Sequence, residues 1–338
     1  MKILVLAGGD SNERAVSLNS GAAICQALMR LGHDVKALDP GTGQPLIDSK
    51  GRLLIESGQA QYNLASVKAP EPGALVTSMA LDYSDIDVVF LALHGGRGEN
   101  GSIQNLLDLA GRKYTGSGMT ASAIAMDKAL TKRIMNSLGI PTPEWELCRV
   151  AKAFDAEKSA AQMAWRLKPP VIVKPNDGGS TIGLVKVMHA SEFAAALSEC
   201  SQHTREILIE KYIPGRELTV TVFDGKAYPV VEIKPKSGLY DYEAKYTKGK
   251  SEYIAPAEID VAVAKHLQDA SVRLFEALGC IGLTRVDFIL DPGGAFYCLE
   301  INTLPGMTAL SLAPMAMKCE GIDFDQLVSM MVDSALRQ

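Results

Sequence analysis

The chain has 338 residues, 47% of them hydrophobic and 22% charged, with a formal net charge of -5 at pH 7. That balance excludes a disordered chain, the apolar runs are too short to cross a membrane, and acidity without a basic stripe speaks against nucleic acid. Two or three domains with substantial cores are expected at this length. Met1-Lys2 leads straight into ILVLAGG without a long apolar region or a small-residue cleavage site, so a cytoplasmic protein with no signal peptide is expected. Cys25, Cys148, Cys200, Cys280, Cys298 and Cys319 lack CxxC or histidine spacing and fall mostly in apolar runs, which predicts buried, reduced thiols.

Residues 2 to 6 read as an apolar strand ending at Ala7-Gly8-Gly9, followed by a helix from about Val16 to Leu31 closed by Gly32, and a second strand near Asp34 to Leu38. This is a βαβ unit, which in an open parallel sheet presents ligands at the carboxyl end of its strands. From Gly41 to Asp82 the pattern loosens into turns around one short strand pair, with no chemistry assigned. The buried-strand run Asp87 to Leu93 delivers His94 at its end, followed by a glycine-rich loop that opens a helix; taken in isolation, a histidine here reads as a satisfied loop residue sooner than as a functional one.

A first unit closes near Gly118, and Ala121 to Gly139 reads as one helix carrying Lys128 and Lys132 one turn apart, with Lys132 expected on a solvated face. Lys174 is isolated in the apolar strand PVIVKP, so a phosphate or a carboxylate is expected beside it. The following loop, Asn176 to Gly183, is glycine-rich, and its backbone N–H groups suit phosphates. Strands then run around a hinge at Pro214-Gly215 and a hairpin at Asp224-Gly225, with Glu217 readable as an exposed strand charge. Residues 237 to 254 are polar, tyrosine-rich and irregular, the pattern of a lid. A helix from Val261 to Leu278 leads to a hairpin, and a final amphipathic helix covers Phe324 to Leu336.

That hairpin, Thr284 to Gly306, carries the densest chemistry. VDFIL and FYCLEIN are β-rich runs around the turn residues DPGG, and a turn centred between Gly293 and Gly294 sets Asp287 opposite Glu300 and Arg285 opposite Asn302. Those four share one face, while Val286, Phe288, Leu290, Tyr297, Leu299 and Ile301 form a core face. Two carboxylates about 5 Å apart cost about 3 kcal/mol at an effective dielectric near 20, so a compensating cation is expected. Hard oxygen donors point to Mg²⁺, although Arg285 could instead neutralise Asp287.

RVDF, LEINTLPGMT and SLAP resemble the metal- and substrate-binding end of the D-alanine–D-alanine ligases of the ATP-grasp superfamily. The resemblance extends to GGDSNERAVSLNSG, LHG with GENG, MDK, and DYEAKY. It implies an α/β ATP-grasp fold: an N-terminal open parallel α/β domain (1–117) and two α+β domains (118–212 and 213–338) that clamp ATP. In the roles it implies, Glu13 holds the ammonium of the first D-alanine with Ser17 in support, and His94 belongs to the same pocket. Lys128 and Lys174 reach the ATP phosphates, Glu210 and Lys211 the adenine, and Glu217 the ribose. Asp287, Glu300 and Asn302 hold Mg²⁺, two ions in the family pattern, with Mn²⁺ as a substitute. Arg285 and the backbone of Gly306 stabilise the oxyanion, and Ser311 and Leu312 contact the second D-alanine. Lys245 and Tyr246 lie over the reacting centre, where the Tyr246 hydroxyl links through Ser180 to Glu13 and favours an amide from D-alanine over an ester from D-lactate.

The implied product is the terminal dipeptide of peptidoglycan assembly, made by a homodimer without nucleic-acid or membrane partners. Two positions depart from the family pattern, where an acid is usual: Asn100 and Gly178. Gly178 puts closure of the 176–183 lid in question and keeps a catalytically silent nucleotide-binding protein as a rival. Another carboxylate–amine ligase of the same superfamily is a second rival, disfavoured by the joint presence of Glu13, His94 and Ser311.

Overall fold

The computed structural model describes residues 1–55, 84–151, 154–236 and 249–338. The N-terminal sheet has the order β3-β2-β1-β4, from β1 (Lys2–Leu6), β2 (Asp34–Asp39), β3 (Gln44–Pro45) and β4 (Val88–Leu91). β2, β1 and β4 are parallel and β3 is an antiparallel edge. Ile3 to Leu6 are all buried, as expected of a parallel strand covered on both faces. Helix α1 (Arg14–Arg30) starts two residues before the expected Val16, with Glu13 at its N-cap position. Beyond β4 come the short α2 (Gly96–Glu99) and α3 (Ser102–Leu109).

The expected single helix from Ala121 to Gly139 is two, α4 (Met119–Met126) and α5 (Lys128–Ser137). Asp127 leaves helical geometry between them and caps α5 by accepting from the Leu130 N–H at 2.9 Å. A second, antiparallel sheet follows in the order β5-β8-β6-β7. It is built from β5 (Trp145–Arg149), β6 (Val171–Pro175), β7 (Val185–Val187) and β8 (Glu206–Lys211), with α6 (Ala156–Arg166) and α7 (Phe193–Cys200) packed on it around Phe193 and Leu197.

The third sheet is antiparallel, in the order β12-β11-β9-β13-β14 with β10 (Lys226–Ala227) beside β9. Its strands are β9 (Arg216–Phe223), β11 (Val231–Pro235), β12 (Ser251–Ile254), β13 (Leu283–Leu290) and β14 (Phe296–Asn302). Of the expected irregular stretch 237–254, the end is strand: Ser251–Ile254 pairs with β11, and 237–248 lie outside the described residues. Helix α8 (Val261–Leu278) covers one face, α9 (Leu312–Lys318) packs on β9 and β11, and α10 (Phe324–Leu336) returns to the N-terminal sheet at β4. Ile24 and Leu28 of α1 share a core with Val328, Met331 and Val332 of α10, and Arg30 pairs with Asp325.

The hairpin register is Asp287↔Glu300 and Arg285↔Asn302, but a bulge between Asp287 and Phe288 shifts the outer pairs to Phe288↔Cys298 and Leu290↔Phe296. The extra residue changes which side chains face inward, so Cys298 joins the core with Phe288 while Tyr297 and Leu299 do not. Asp291 organises the turn by accepting from the N–H groups of Gly293 and Ala295, and Gly294 supplies the positive φ of 85°.

Gly21 of α1 lies against Ala7, and a Cβ at 21 would sit inside contact distance of the Ala7 Cβ. Gly21→Ala gains about 0.5–1 kcal/mol of helix propensity but overpacks this contact by about 1–3 kcal/mol, so the net change is destabilising. Thermal unfolding checks this: the midpoint should fall, and fall further for Gly21→Val, whereas a rise for Gly21→Ala would contradict the close packing.

Candidate active site

A pocket lies between the second and third sheets. Its apolar walls include Ile172 from β6, Leu218 from β9, Ile289 from β13 and Leu299 from β14. Leu299, expected in the core, reaches this pocket because of the bulge. The polar lining gathers Lys128, Lys174, Glu210, Lys211 and Glu217 with Ser180, Arg285, Asp287 and Glu300. Residues from α5, β6, β8, β9, β13 and β14, far apart in sequence, thus meet in one place.

The opposed carboxylates are compensated by protein cations. Arg285 donates to both oxygens of Asp287 at 2.9 Å, and Lys128 lies 3.4 Å from Glu300. Thr219 of β9 also donates to Asp287 at 2.7 Å, a contact the hairpin sequence alone could not show. Asn302 accepts from the Leu304 N–H at 3.1 Å. No group of three or more His, Cys, Asp or Glu poised for a metal occurs among the described residues. Two carboxylates and an amide oxygen on one sheet face still make a hard-oxygen donor set that suits Mg²⁺: Asp287 Oδ1 is taken up by Arg285 and Thr219, but Oδ2, which accepts from Arg285, keeps a further lone pair.

Lys174 has the carboxylate its burial required: Glu210, at 2.5 Å. The expectation for Lys132 fails. It is fully buried, 2.9 Å from the other oxygen of Glu210, and donates to Thr142 at 2.6 Å. It shares the inward face of α5 with Lys128, and the same side of the helix that serves the pocket serves the core. Burial works against ionisation of Glu210, but Lys132 and Lys174 outweigh it and hold the carboxyl down at about 2. Burial likewise opposes the charge on Lys174, and Glu210 with Glu300 pushes it up; for Lys132 burial prevails over Glu210 and pulls it down.

The 176–183 loop reaches the N-terminus of α1, where Ser180 donates to Glu13. A Cβ on Gly95 or Gly179 would collide with the Glu13 carboxylate, so both backbones crowd it. Gly178 offers Lys128 its carbonyl at 2.6 Å, and in this backbone a Cβ there would lie 2.8 Å from that of Pro175. The Ser180–Glu13 contact is therefore made with glycine at 178. Ser17 is buried, accepting from the Gly8 N–H and donating to the Ala92 carbonyl, both at 2.7 Å. His94 has both ring nitrogens engaged, Nδ1 with the Leu304 carbonyl at 2.8 Å and Nε2 with Ser20 at 2.9 Å. Burial holds His94 below the usual histidine range, with Glu13 opposing. Ser20 also accepts from the Met307 N–H, so this pair pins the 304–307 loop to the first sheet.

Gly306 and Ser311 are neighbours in the loop pinned this way, where Ser311 accepts from the Thr308 N–H at 3.0 Å, and Leu312 is buried at the start of α9. Glu99, which sequence reasoning did not single out, is buried beside Glu13 and accepts from the Gly95 N–H at 3.0 Å. Burial first, and the Glu13 charge second, raise its carboxyl to about 7. Lys245 and Tyr246 lie outside the described residues.

The model of the D-ala D-ala ligase N-terminus matches residues 2–117, and that of the D-ala D-ala ligase C-terminus matches 134–333. The chain belongs to the D-alanine–D-alanine ligase family. It is 43% identical over 337 residues to a D-alanine–D-alanine ligase of Gloeobacter violaceus, covering 99% of this chain and all of that one. The enzyme of that name from Aquifex aeolicus is 39% identical, over 98% of this chain and all of its own. Among solved structures, the Bacillus anthracis D-alanine–D-alanine ligase complexed with ATP superposes with a TM-score of 0.76 at 28% identity, covering all of this chain and 98% of that one. The Coxiella burnetii ligase gives 0.78 at 25%, over all of this chain and 94% of that one. The fold is the ATP-grasp fold of this family.

The Lys132–Glu210–Lys174 cluster makes an asymmetric prediction. Glu210→Gln leaves two buried ammonium groups without a countercharge and should cost about 3–5 kcal/mol, whereas Lys132→Met leaves a neutral pair and should cost less. Because the folded pKa lies below the 4.5 of an ordinary glutamate, the stabilisation is present above about pH 4.5 and lost as pH falls toward 2. Unfolding midpoints of the two variants between pH 3 and 7 check this; equal losses, or a Glu210→Gln penalty that grows on acidification, would contradict it.

Proposed function

We propose that the protein is an ATP-dependent ligase that joins two D-alanine molecules through a D-alanyl phosphate, supplying the dipeptide used in peptidoglycan synthesis. The observation that carries this reading is the convergence of Lys128, Lys174, Arg285, Asp287 and Glu300 on one pocket, closed toward Glu13 by Ser180. A carboxylate is a poor electrophile, so amide formation needs phosphate as a leaving group. A carboxylate oxygen of the first D-alanine attacks the γ-phosphorus, and the bond to ADP breaks with its electron pair on ADP. The amine of the second D-alanine then attacks the acyl carbon, loses a proton and expels phosphate.

The chain's part is positioning and charge neutralisation. Lys128 and Lys174 face the phosphates, Glu210 and Lys211 line the adenine end, and Glu217 takes the ribose. Glu13, buttressed by Ser17, holds the first ammonium, and His94 acts through the loop it pins. Arg285, its plane fixed by two hydrogen bonds to Asp287, and the Gly306 N–H face the developing oxyanion, and Ser311 and Leu312 receive the second D-alanine. Asp287, Glu300 and Asn302 would hold Mg²⁺, which when bound offsets phosphate charge. Lys245 and Tyr246 complete the family's set from beyond the described residues and favour peptide over ester product. A cytoplasmic homodimer follows from the same reading; no helix among the described residues is long and apolar enough to cross a membrane.

Glu300→Gln keeps the shape of the side chain and removes its charge, so Mg²⁺-dependent ADP formation should fall at least about a hundredfold with the unfolding midpoint little changed. Near-normal turnover would contradict the metal assignment. For the wild-type chain, phosphate release should depend on D-alanine and be weak with L-alanine; release indifferent to every amino acid would contradict the ligase reading.

A further inference from the structure

We propose that Asn176 is a positioning residue that fixes Lys128 and Lys174 relative to one another by clamping the first turn of α5 to the ends of β6 and β8. The inference rests on reading the pocket between them as the nucleotide site. Asn176 directly follows β6, two residues beyond Lys174, and only 2% of it is exposed. Its side-chain oxygen accepts from the Ala129 N–H at 2.8 Å, and its Nδ2 donates to Asp127 at 2.9 Å. Its backbone carbonyl accepts from the Lys128 N–H at 3.2 Å, and its own N–H donates to the Glu206 carbonyl at 2.9 Å. One residue thereby joins the helix bearing Lys128, the strand bearing Lys174 and the strand bearing Glu210.

The chemistry of the contact calls for an amide. A helix N-terminus leaves its first N–H groups without partners, and such groups ordinarily attract anions. Here those of Lys128 and Ala129 are taken by Asn176 and that of Leu130 by Asp127, so neutralising an anion falls to the Lys128 side chain. Its Nζ is aimed at the pocket, 2.6 Å from the Gly178 carbonyl and 3.4 Å from Glu300. A serine at 176 would be too short to reach both Asp127 and Ala129, and an aspartate would face Asp127 with a like charge. The clamp sits at the root of the 176–183 loop, so it also fixes where that loop leaves the sheet.

The test is ATP affinity by titration calorimetry, together with steady-state kinetics, for the full-length wild type, Asn176→Asp and the exchange Asn176→Asp with Asp127→Asn. One oxygen of Asp127 accepts from both Asn176 and Leu130, so in the exchange the amide at 127 divides these contacts, its nitrogen donating to the carboxylate at 176 and its oxygen capping Leu130. Displacing phosphate-facing lysines by a fraction of an ångström should weaken ATP binding about tenfold or more in Asn176→Asp and lower kcat, with the KM for D-alanine within about twofold. The exchange should recover affinity to within about threefold of wild type, a rescue that a general loss of packing would not show. ATP affinity within about twofold of wild type in Asn176→Asp, or an exchange variant no better than the single one, overturns the proposal. If the single variant does not fold, the exchange decides alone: near wild-type affinity supports the clamp, and a tenfold loss overturns it. A wild-type chain that fails to bind ATP would overturn the nucleotide reading itself, a result distinct from either.

Discussion

A buried ammonium must have a countercharge, and in this protein one carboxylate serves two. Glu210 on β8 faces Lys174 on the neighbouring β6 and Lys132 on α5, all three withdrawn from water. Leaving either lysine unpaired in that environment would cost more than most single contacts contribute, so helix and strands are held in one arrangement. That arrangement sets Lys128, one turn before Lys132, against Glu300 of the third sheet. The charges that line the pocket are thus consequences of a charge balance made in the core beside it.

The other end of the site depends on steric absence. Glu13 can receive Ser180 because Gly95 and Gly179 leave room for its carboxylate, and the Ser180 loop reaches across with glycine, not an acid, at 178. Behind that contact, Ser17, Ser20 and His94 are committed to backbone groups and to one another. They hold the loops that carry Glu13 and Gly306 at fixed positions. Glu99, whose carboxyl is raised to about 7 by burial and by Glu13, is partly protonated near neutral pH, which limits its repulsion of Glu13.

Much of this was legible in the sequence because the controlling physics is local. Alternation and DPGG chemistry gave the hairpin and its register at Arg285, Asp287, Glu300 and Asn302, and the solitary charge in PVIVKP gave Lys174 a partner before one was seen. The bulge after Asp287 was not legible: one extra residue leaves the alternation of each strand intact yet moves Leu299 from core to pocket wall. The burial of Lys132 was not legible either, because periodicity fixes which face of a helix a residue occupies, not what packs there. The break at Asp127 did have a signal, an N-cap residue before a helical run, overridden by the continuity of the apolar pattern. Thr219 could not be found by motif spacing, since it matters only through Asp287, far away in sequence; Glu99 lies inside the GENG string, but its burial beside Glu13 is not a local property.

The central claim is that the pocket brings a carboxylate of D-alanine to the γ-phosphorus of ATP. The most direct measurement uses D-alanine labelled with ¹⁸O in both carboxylate oxygens and follows the phosphate released during turnover by mass spectrometry. Attack by the carboxylate carries one labelled oxygen into each phosphate while the dipeptide amide keeps the other. Singly labelled phosphate in step with dipeptide formation is the result predicted; unlabelled phosphate accompanying dipeptide would contradict it.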